Sequence, residues 1–346
     1  MRRNKMIHLY IQRWIVILCG ISLLFAGGCL DDEKTKEKVA KFMSALYTQW
    51  LYEEEYDALW NKSTAAFQMK FGNVENFAAN GQVISTQLGP ETQVIDERMF
   101  FVQGIYVYDR AAYFQEPPIP ISIEWGLDDA MNIVWFDINQ LPEEASTQFS
   151  DYHTKTELRL PFDNEWLVIW GGHSIRDNYH ATVSNQRFAY DFLIVENGLP
   201  YHGDGSLNED YYCYGQPIVS PGAGVVVTSE NTVPDNPPGE QNLTQPNGNY
   251  VVIDHENGEY SFLAHFRKGT VTVHPGDRVT AGMLLGQCGN SGGTDIPHLH
   301  YHLQNTSNVD DTSKAAGLPI QFKAYFVDGC FLEQGEPTKW QLVQSK

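Results

Sequence analysis

Two histidines separated by one residue, His298 and His300, have the types and spacing to perform chemistry. On a β-strand the side chains alternate between faces, so residues two apart project from the same face. Imidazole both binds metals and exchanges protons near neutral pH. One histidine of the pair can therefore ligate a metal while the other serves the reaction. A glycine-rich turn at residues 289–297 precedes them and is suited to begin such a strand.

An ordered series of six short segments leads up to this pair. The segments are QRFAYDF (186–192), YGQPIVSPGAGV (214–225), GNYVVIDH (248–255), FLAHF (262–266), VHPGDRV (273–279) and GMLLGQ (282–287). From about residue 166 to residue 302, the chain resembles the lysostaphin/LytM-type zinc metallopeptidases, which hydrolyse peptide bonds of bacterial peptidoglycan. The resemblance implies a metallopeptidase domain at 155–335 that binds one Zn²⁺ ion and acts on peptidoglycan peptides.

The resemblance also implies roles for individual residues. It gives Asp191 and His300 as metal ligands, and His298 and His265 as catalytic residues that take a proton from the attacking water. A hydrolytic zinc site usually has three protein ligands and one open position. A third ligand is therefore expected.

The position of that third ligand is where the chain departs from the family. The family has a histidine four residues before the aspartate, whereas this chain has Arg187, which carries no lone pair for a metal. In one interpretation His180, 11 residues before Asp191, supplies the ligand, with His173 in reserve. In the other, the site is degenerate and the domain binds the cell wall or activates an amidase.

The same region reads as β structure. Short apolar or β-branched runs at 218–219, 225–227, 250–253, 271–273 and 284–285 are separated by Pro-Gly, Asn-Gly and Gly-Asn turns. We expect a mostly antiparallel all-β peptidase domain whose metal site lies in a groove.

A second domain is expected at 39–142. Apolar residues follow helical spacing over 39–50, a second helical stretch covers 56–67, and 119–125 and 134–138 alternate as strands do. Helices followed by an antiparallel sheet make an α+β domain. Its element order resembles the cone-shaped domains related to nuclear transport factor two.

The N-terminus predicts export. Basic residues followed by an apolar run over 14–25 describe a signal peptide at 1–28. Cys29 directly follows two glycines, which resembles a bacterial lipobox, so Cys29 is the expected lipid anchor and 29–38 a charged tether. Plain secretion is the alternative. Both place the protein outside the cytoplasm, in the periplasm or at the cell surface, and a lipid would make the membrane a partner.

Charge and cysteine content narrow the function further. The net charge of −20 argues against nucleic acid or anionic lipid as a partner. Cys213, Cys288 and Cys330 do not have the spacing of a thiolate zinc site, and we expect ordinary buried cysteines. The sequence thus predicts a zinc endopeptidase of peptidoglycan. A degenerate binding or activating lipoprotein, and a zinc peptidase of protein substrates, are the alternatives.

Overall fold

A computed structural model describes residues 32–116, 119–309 and 314–346. The expected signal peptide and Cys29 lie outside these residues. In the part of the chain that the structure describes, no helix has both the length and the apolar character needed to cross a membrane.

The N-terminal unit, residues 32–142, places four helices against a four-stranded antiparallel sheet. The elements are α1 (Asp32–Tyr52), α2 (Tyr56–Asn61), α3 (Ala65–Phe71), α4 (Val74–Leu88), β1 (Glu91–Val102), β2 (Ile105–Phe114), β3 (Pro120–Leu127) and β4 (Ile133–Gln140), with the strands in sequence order. Tyr47, Leu59, Phe77 and Trp125 are buried at the centre of its core. The predicted α+β class is confirmed.

The unit differs from the prediction in its details. The segment 29–38, expected to be a tether, is helical from Asp32 onward, and its charged residues Glu33, Lys34, Glu37 and Lys38 occupy exposed positions of α1. The helical stretch expected at 56–67 is two helices, since Thr64 begins a new one by accepting a hydrogen bond from the Phe67 amide at 3.3 Å. Strand β1 was not predicted, because half of its side chains are exposed and its apolar residues do not alternate.

The C-terminal unit, residues 155–346, is built from antiparallel strands, as predicted. The strands are β5 (Trp166–Trp170), β6 (Tyr190–Leu193), β7 (Pro217–Val219), β8 (Gly224–Glu230), β9 (Asn249–Asp254), β10 (Tyr260–Phe266), β11 (Arg278–Val279), β12 (Leu284–Gln287), β13 (Leu299–Gln304), β14 (Gly317–Leu318), β15 (Phe322–Val327), β16 (Cys330–Gly335) and β17 (Leu342–Ser345). The main sheet has the order β11-β8-β9-β10-β13-β6-β5-β17-β15-β16, with β14 beside β13, while β7 and β12 form a separate pair. The sheet therefore continues beyond residue 335, the end that the sequence suggested.

The two units share a core. Val102, Ile105 and Val134 of the N-terminal unit belong to the same buried apolar cluster as the main sheet. Across the junction Trp135 stacks on Trp340, with ring centroids 5.3 Å apart. The burial expected of the cysteines holds for Cys213 and Cys288 but is wrong for Cys330, which is exposed on the edge strand β16.

Candidate metal centre

Three buried side chains from three parts of the C-terminal unit converge on one point. One ligand atom each from His180, Asp191 and His300 lies within 4.8 Å of the others. Asp191 Oδ2 is 3.0 Å from His180 Nε2, and Asp191 Oδ1 is 2.9 Å from His300 Nδ1. Among the residues that the structure describes, these three form the one group of at least three His, Cys, Asp or Glu side chains whose ligand atoms lie close enough together to hold a metal ion.

The sheet itself brings two of these residues together. Strands β6 and β13 are antiparallel neighbours, and Asp191 and His300 are directly opposite each other in their register. Directly opposed residues have adjacent side chains on one face of the sheet. The alternation that places His298 and His300 on one face therefore aims both at the carboxylate.

His180 arrives from a one-turn 3₁₀ helix, Tyr179–Thr182, ahead of β6. The buried Asn178 holds this turn in place. Its Oδ1 accepts from the His180 amide at 3.1 Å, and its Nδ2 donates to the carbonyls of Gly172, Arg187 and Ala189 at 3.0–3.2 Å. The side chain of Asn178 thus joins the turn to the start of β6.

Arg187, which stands at the family's ligand position, and His173, the reserve candidate, both point elsewhere. Arg187 donates to the Ala181 carbonyl at 3.1 Å and to Glu144 Oε2 at 2.7 Å, away from the cluster. His173 is partly exposed and lies 2.6 Å from Glu336 Oε2. The structure brings His180 to Asp191 and His300, and it does not bring His173 there.

A hydrogen-bond chain along β13 fixes the protonation of His300. Gln304 Nε2 donates to the carbonyls of Thr306 and Asn308, so Gln304 Oε1 accepts from His302 Nε2 at 3.0 Å. His302 Nδ1 then accepts from His300 Nε2 at 2.9 Å. His300 Nδ1 is left with a lone pair that faces the Asp191 carboxylate. With no hydrogen between them, His300 Nδ1 and the Asp191 carboxylate are two acceptors that face each other, an arrangement that a bound cation would stabilise.

Burial keeps these groups in the forms that a metal requires. It lowers the pKa of the His300 imidazole to about 4 and that of His302 well below its usual range. Burial alone would raise the pKa of Asp191, but His180, His298 and His300 hold it well below its ordinary value. At neutral pH the cluster offers a neutral imidazole beside a carboxylate, which are the usual oxygen and nitrogen ligands of zinc.

His298 and His265 flank the cluster without belonging to it. His298 Nδ1 lies 3.0 Å from the Ile296 carbonyl, so it carries the proton and leaves Nε2 free, 3.6 Å from Asp191 Oδ1. His265 Nδ1 likewise donates to the Ser291 carbonyl at 2.8 Å. The two rings are 4.9 Å apart. Both therefore present a basic nitrogen on the cluster side of the sheet.

His265 adopts a strained backbone to reach this position. It has a φ of 67° and lies at a register shift of β10 against β9, between Ala264 and Phe266. A left-handed conformation at a non-glycine residue costs about 1–3 kcal/mol and is often kept at functional sites. The bulge directs the ring towards His298 and His300.

Tyr179 is a site residue that sequence reasoning missed. Its ring lies 3.9 Å from that of His180, and burial together with the Asp191 charge raises the pKa of its hydroxyl. A cleft of about 720 Å³ between the two units is lined by residues that include Trp170, Asp295 and Ile296, and the Trp170 ring contacts Tyr179. His180, Asp191 and His300 are not among the residues that line this cleft.

This geometry coincides with a family match. Residues 210–311 match the model of Peptidase family M23. The match contains His265, His298 and His300, and it begins after His180 and Asp191. The predicted resemblance to this kind of peptidase is therefore confirmed for residues 210–311.

Two curated relatives are similar to part of the chain. The chain is 37% identical over 89 residues to the peptidoglycan DD-endopeptidase ShyA of Vibrio cholerae, and 36% identical over 87 residues to ShyC of the same organism. These stretches cover 26% and 25% of this chain and 17% of each relative. A zinc containing peptidase from Vibrio cholerae is a structural neighbour at 16% identity and a TM-score of 0.26, covering 57% of this chain and 52% of the other.

Proposed function

We propose that this protein is a zinc-dependent endopeptidase that hydrolyses peptide bonds of bacterial peptidoglycan. The observation that carries the proposal is the convergence of His180, Asp191 and His300 within 4.8 Å, beside two histidines that keep a basic nitrogen free. The relatives named as peptidoglycan DD-endopeptidases support the substrate class. The relocation of the first ligand to His180 is part of the proposal.

The donor set fits one zinc ion. His180 Nε2, an Asp191 oxygen and His300 Nδ1 would hold it, and the remaining position would stay open for water or substrate. When bound, Zn²⁺ supplies a Lewis acid that polarises the scissile carbonyl and acidifies water. Asp191 contributes the negative charge that offsets part of the charge of the ion.

The two flanking histidines perform the proton transfers. Either His298 Nε2 or the free nitrogen of His265 would accept one proton of the attacking water as the water oxygen bonds to the carbonyl carbon, and would return that proton to the amine nitrogen as the C–N bond breaks. The histidine that holds the proton would also stabilise the negative charge on the carbonyl oxygen. The carbonyls of Ile296 and Ser291 keep both rings in the orientation that this task needs.

We further propose that the protein acts outside the cytoplasm. In this proposal residues 1–28 are a lipoprotein signal peptide, Cys29 is the lipid anchor in a bacterial membrane, and 39–142 and 155–335 are the accessory and peptidase domains. A substrate in the cell wall requires an enzyme that has been exported. Mass spectrometry of the N-terminal peptide from membranes would show diacylglycerol on Cys29, whereas a free N-terminus elsewhere would contradict the anchor.

Zinc content tests the proposed ligands directly. We expect about one zinc per chain in the mature protein and none after His180→Ala or His300→Ala. His274→Ala is the matched control, because the His274 side chain is 82% exposed and lies outside the cluster. A folded parent without zinc would contradict the proposal and would favour a wall-binding module. Zinc retained in His180→Ala would show that another group is the first ligand.

Turnover separates the ligands from the proton-transfer residues. His298→Ala should keep zinc and lose most of its hydrolysis of purified peptidoglycan, by about 10²–10⁴-fold, because a general base is worth that much. His300→Ala should lose both zinc and hydrolysis. The new amino termini released from peptidoglycan measure the rate. Full activity in both variants would contradict the proposed mechanism.

A further inference from the structure

We infer that the N-terminal unit, together with the segment that joins it to the C-terminal unit, positions the metal ligand His180 by holding the backbone on both sides of it. The inference rests on the proposed function, because it treats His180 as a ligand. Its basis is an ionic clamp, which we define as Asp96 and Asp109, with Arg98, of the N-terminal unit and Arg176 and Asp177 of the C-terminal unit. The clamp closes three residues before His180.

Arg176 reaches from the C-terminal unit into the sheet of the N-terminal unit. Its Nε donates to Asp109 Oδ2 at 2.9 Å, and its Nη2 donates to the Asp109 carbonyl at 2.9 Å. Its Nη1 donates to Asp96 Oδ2 at 2.7 Å. Asp96 is on β1 and Asp109 is on β2, so one guanidinium contacts both strands. Three bonds in fixed directions leave this side chain little freedom.

Arg98 makes the reciprocal contact from β1. Its Nη1 donates to Asp177 Oδ1 at 2.6 Å, and its Nη2 donates to Asp109 Oδ2 at 2.7 Å. Asp109 is fully buried, and its second oxygen accepts from Ser122 Oγ at 2.6 Å. The charges therefore alternate in sign from Asp96 to Asp177 across the junction. Two consecutive residues, Arg176 and Asp177, are each tied to the N-terminal unit.

The segment that joins the units holds the other side of His180. The Ala145 amide donates to the Ala181 carbonyl at 2.8 Å. Glu144 accepts from the Ile175 amide at 2.8 Å and from Arg187 Nη2 at 2.7 Å. The backbone is thus fixed at residues 175–177 and again at 181, and His180 lies between the two points. A segment of this length cannot reorient while both ends are held.

The clamp has a function for the metal because the turn that bears His180 is not part of the sheet. Asp191 and His300 are fixed by strand pairing, whereas His180 depends on Asn178 within its own turn and on these contacts with the preceding residues. Removal of a residue that orients a metal ligand typically lowers the affinity for the metal by about 10–100-fold. Arg176 and Asp177 are positioning residues and do not contact the metal.

Zinc affinity in Arg176→Met tests the inference. We expect the zinc dissociation constant, measured by chelator competition on the mature protein with both units present, to rise by about 10–100-fold. Deuterium exchange of residues 172–182 in the metal-free protein should also become faster. Asp177→Asn, which is isosteric, should show both effects in weaker form and serves if Arg176→Met does not fold.

Arg110→Met is the matched control. Arg110 forms its own ion pairs with Glu91 and Glu97 on the same sheet, and both partners lie outside segment 175–181. It should lower the melting temperature without changing zinc affinity or exchange at 172–182. Unchanged affinity and exchange in both Arg176→Met and Asp177→Asn would overturn the inference, whatever happens to melting.

The outcome for the parent separates this inference from the proposed function. A parent that binds zinc in a His180-dependent manner, with clamp variants that bind equally well, would overturn the inference alone. A parent that binds no zinc would overturn the proposed function. In that case faster exchange at 172–182 would still establish that the clamp positions the segment, and unchanged exchange would reject that too.

Discussion

At the scale of single residues, the hydrogen bond made by one ring nitrogen of a histidine determines whether the other nitrogen can bind a metal. His300 can offer Nδ1 to a metal because its Nε2 donates a hydrogen bond to His302 Nδ1. His302 Nδ1 can accept that bond because the proton of His302 is on Nε2, which donates to Gln304 Oε1. An outer partner of this kind sets the tautomer and the ring angle of a ligand. The three residues alternate along β13, so one face of one strand carries both the ligand and its support.

His302→Phe should therefore weaken zinc binding by about 10–100-fold. Phenylalanine keeps the stacking of this position on Phe262, where the ring centroids are 4.7 Å apart, and removes the acceptor for His300 Nε2. Chelator competition measures the affinity.

The same exchange at His255 controls for the loss of a buried histidine. His255 bonds to the Ala223 carbonyl and to Ser261 Oγ at 2.7 Å each, on the opposite side of β10 from the cluster residues. His255→Phe should leave zinc affinity unchanged. Equal weakening in the two variants would show that the effect is general destabilisation.

At this scale the sequence motifs indicated Asp191, His298 and His300 as site residues, and Arg187 was excluded as a ligand because a guanidinium has no lone pair. The structure brings Asp191 and His300 together with His180, and the roles of these residues stay predictions. Tyr179 and Asn178 were missed, because their roles depend on contacts with Asp191 and with carbonyls as far away as Ala189. The alternation His300-x-His302-x-Gln304 was the signal that would have revealed the chain along β13.

At the scale of elements, the 3₁₀ turn Tyr179–Thr182 needs support that its own backbone bonds do not give. Asn178 supplies it with four hydrogen bonds, one accepted and three donated. An aspartate has the same shape but cannot donate. A buried carbonyl left without its donor costs about 1–3 kcal/mol.

Asn178→Asp should lower the free energy of unfolding by about 1–3 kcal/mol and should also weaken zinc binding. The carboxylate would face three carbonyl oxygens in a buried site. Chemical denaturation measures the stability. Asn257→Asp is the matched control, because Asn257 is exposed and its side chain donates to Thr156 Oγ1. Equal stability of the two variants would contradict this role.

Elements were predictable where one face is buried and turns are marked by glycine and proline. Strands β7, β8, β9 and β12 coincide with predicted runs, and so does β3 with its buried run, whereas β10 and β11 were not predicted and the predicted run at 271–273 is not a strand. Strand β16 does not follow it, because it lies at the sheet edge and almost all its side chains are exposed. Local pattern carries no signal for a strand that buries neither face.

At the scale of the whole molecule, a buried ion pair fastens the two units. Lys339 Nζ donates to Glu124 Oε1 at 2.7 Å, and both side chains are almost fully buried. The same ammonium lies 3.8 Å from the centroid of Trp170, whose ring contacts Tyr179 of the site. No motif predicted this pair, because its members are 215 residues apart and meet only when both units have folded.

Lys339→Met should destabilise the protein by about 3–5 kcal/mol, because it leaves the Glu124 carboxylate buried without its partner. Burial raises the pKa of Glu124, so a folded state without the lysine favours the protonated acid. The contribution of Glu124 to the stability of the variant is therefore largest below the ordinary glutamate pKa of about 4.3, and this contribution is lost as the pH rises. The deficit should be smaller at pH 5 than at pH 7 in urea unfolding.

A double variant, Glu124→Leu with Lys339→Met, should recover most of this loss, since an apolar pair of similar volume often replaces a buried ion pair at little cost. A single variant as stable as the parent would contradict the account. So would a double variant less stable than Lys339→Met alone.

The family match begins at residue 210, yet His180 and Asp191 precede it and the N-terminal unit holds the turn that bears His180. A gene fragment cut at the matched boundaries would encode a polypeptide with one of the three cluster residues. Recombination in evolution, or the engineered fusion of this fragment to another protein, would then transfer the β-strands without two of the three cluster residues. The part of this protein that can be transferred with its complete metal cluster is the pair of units.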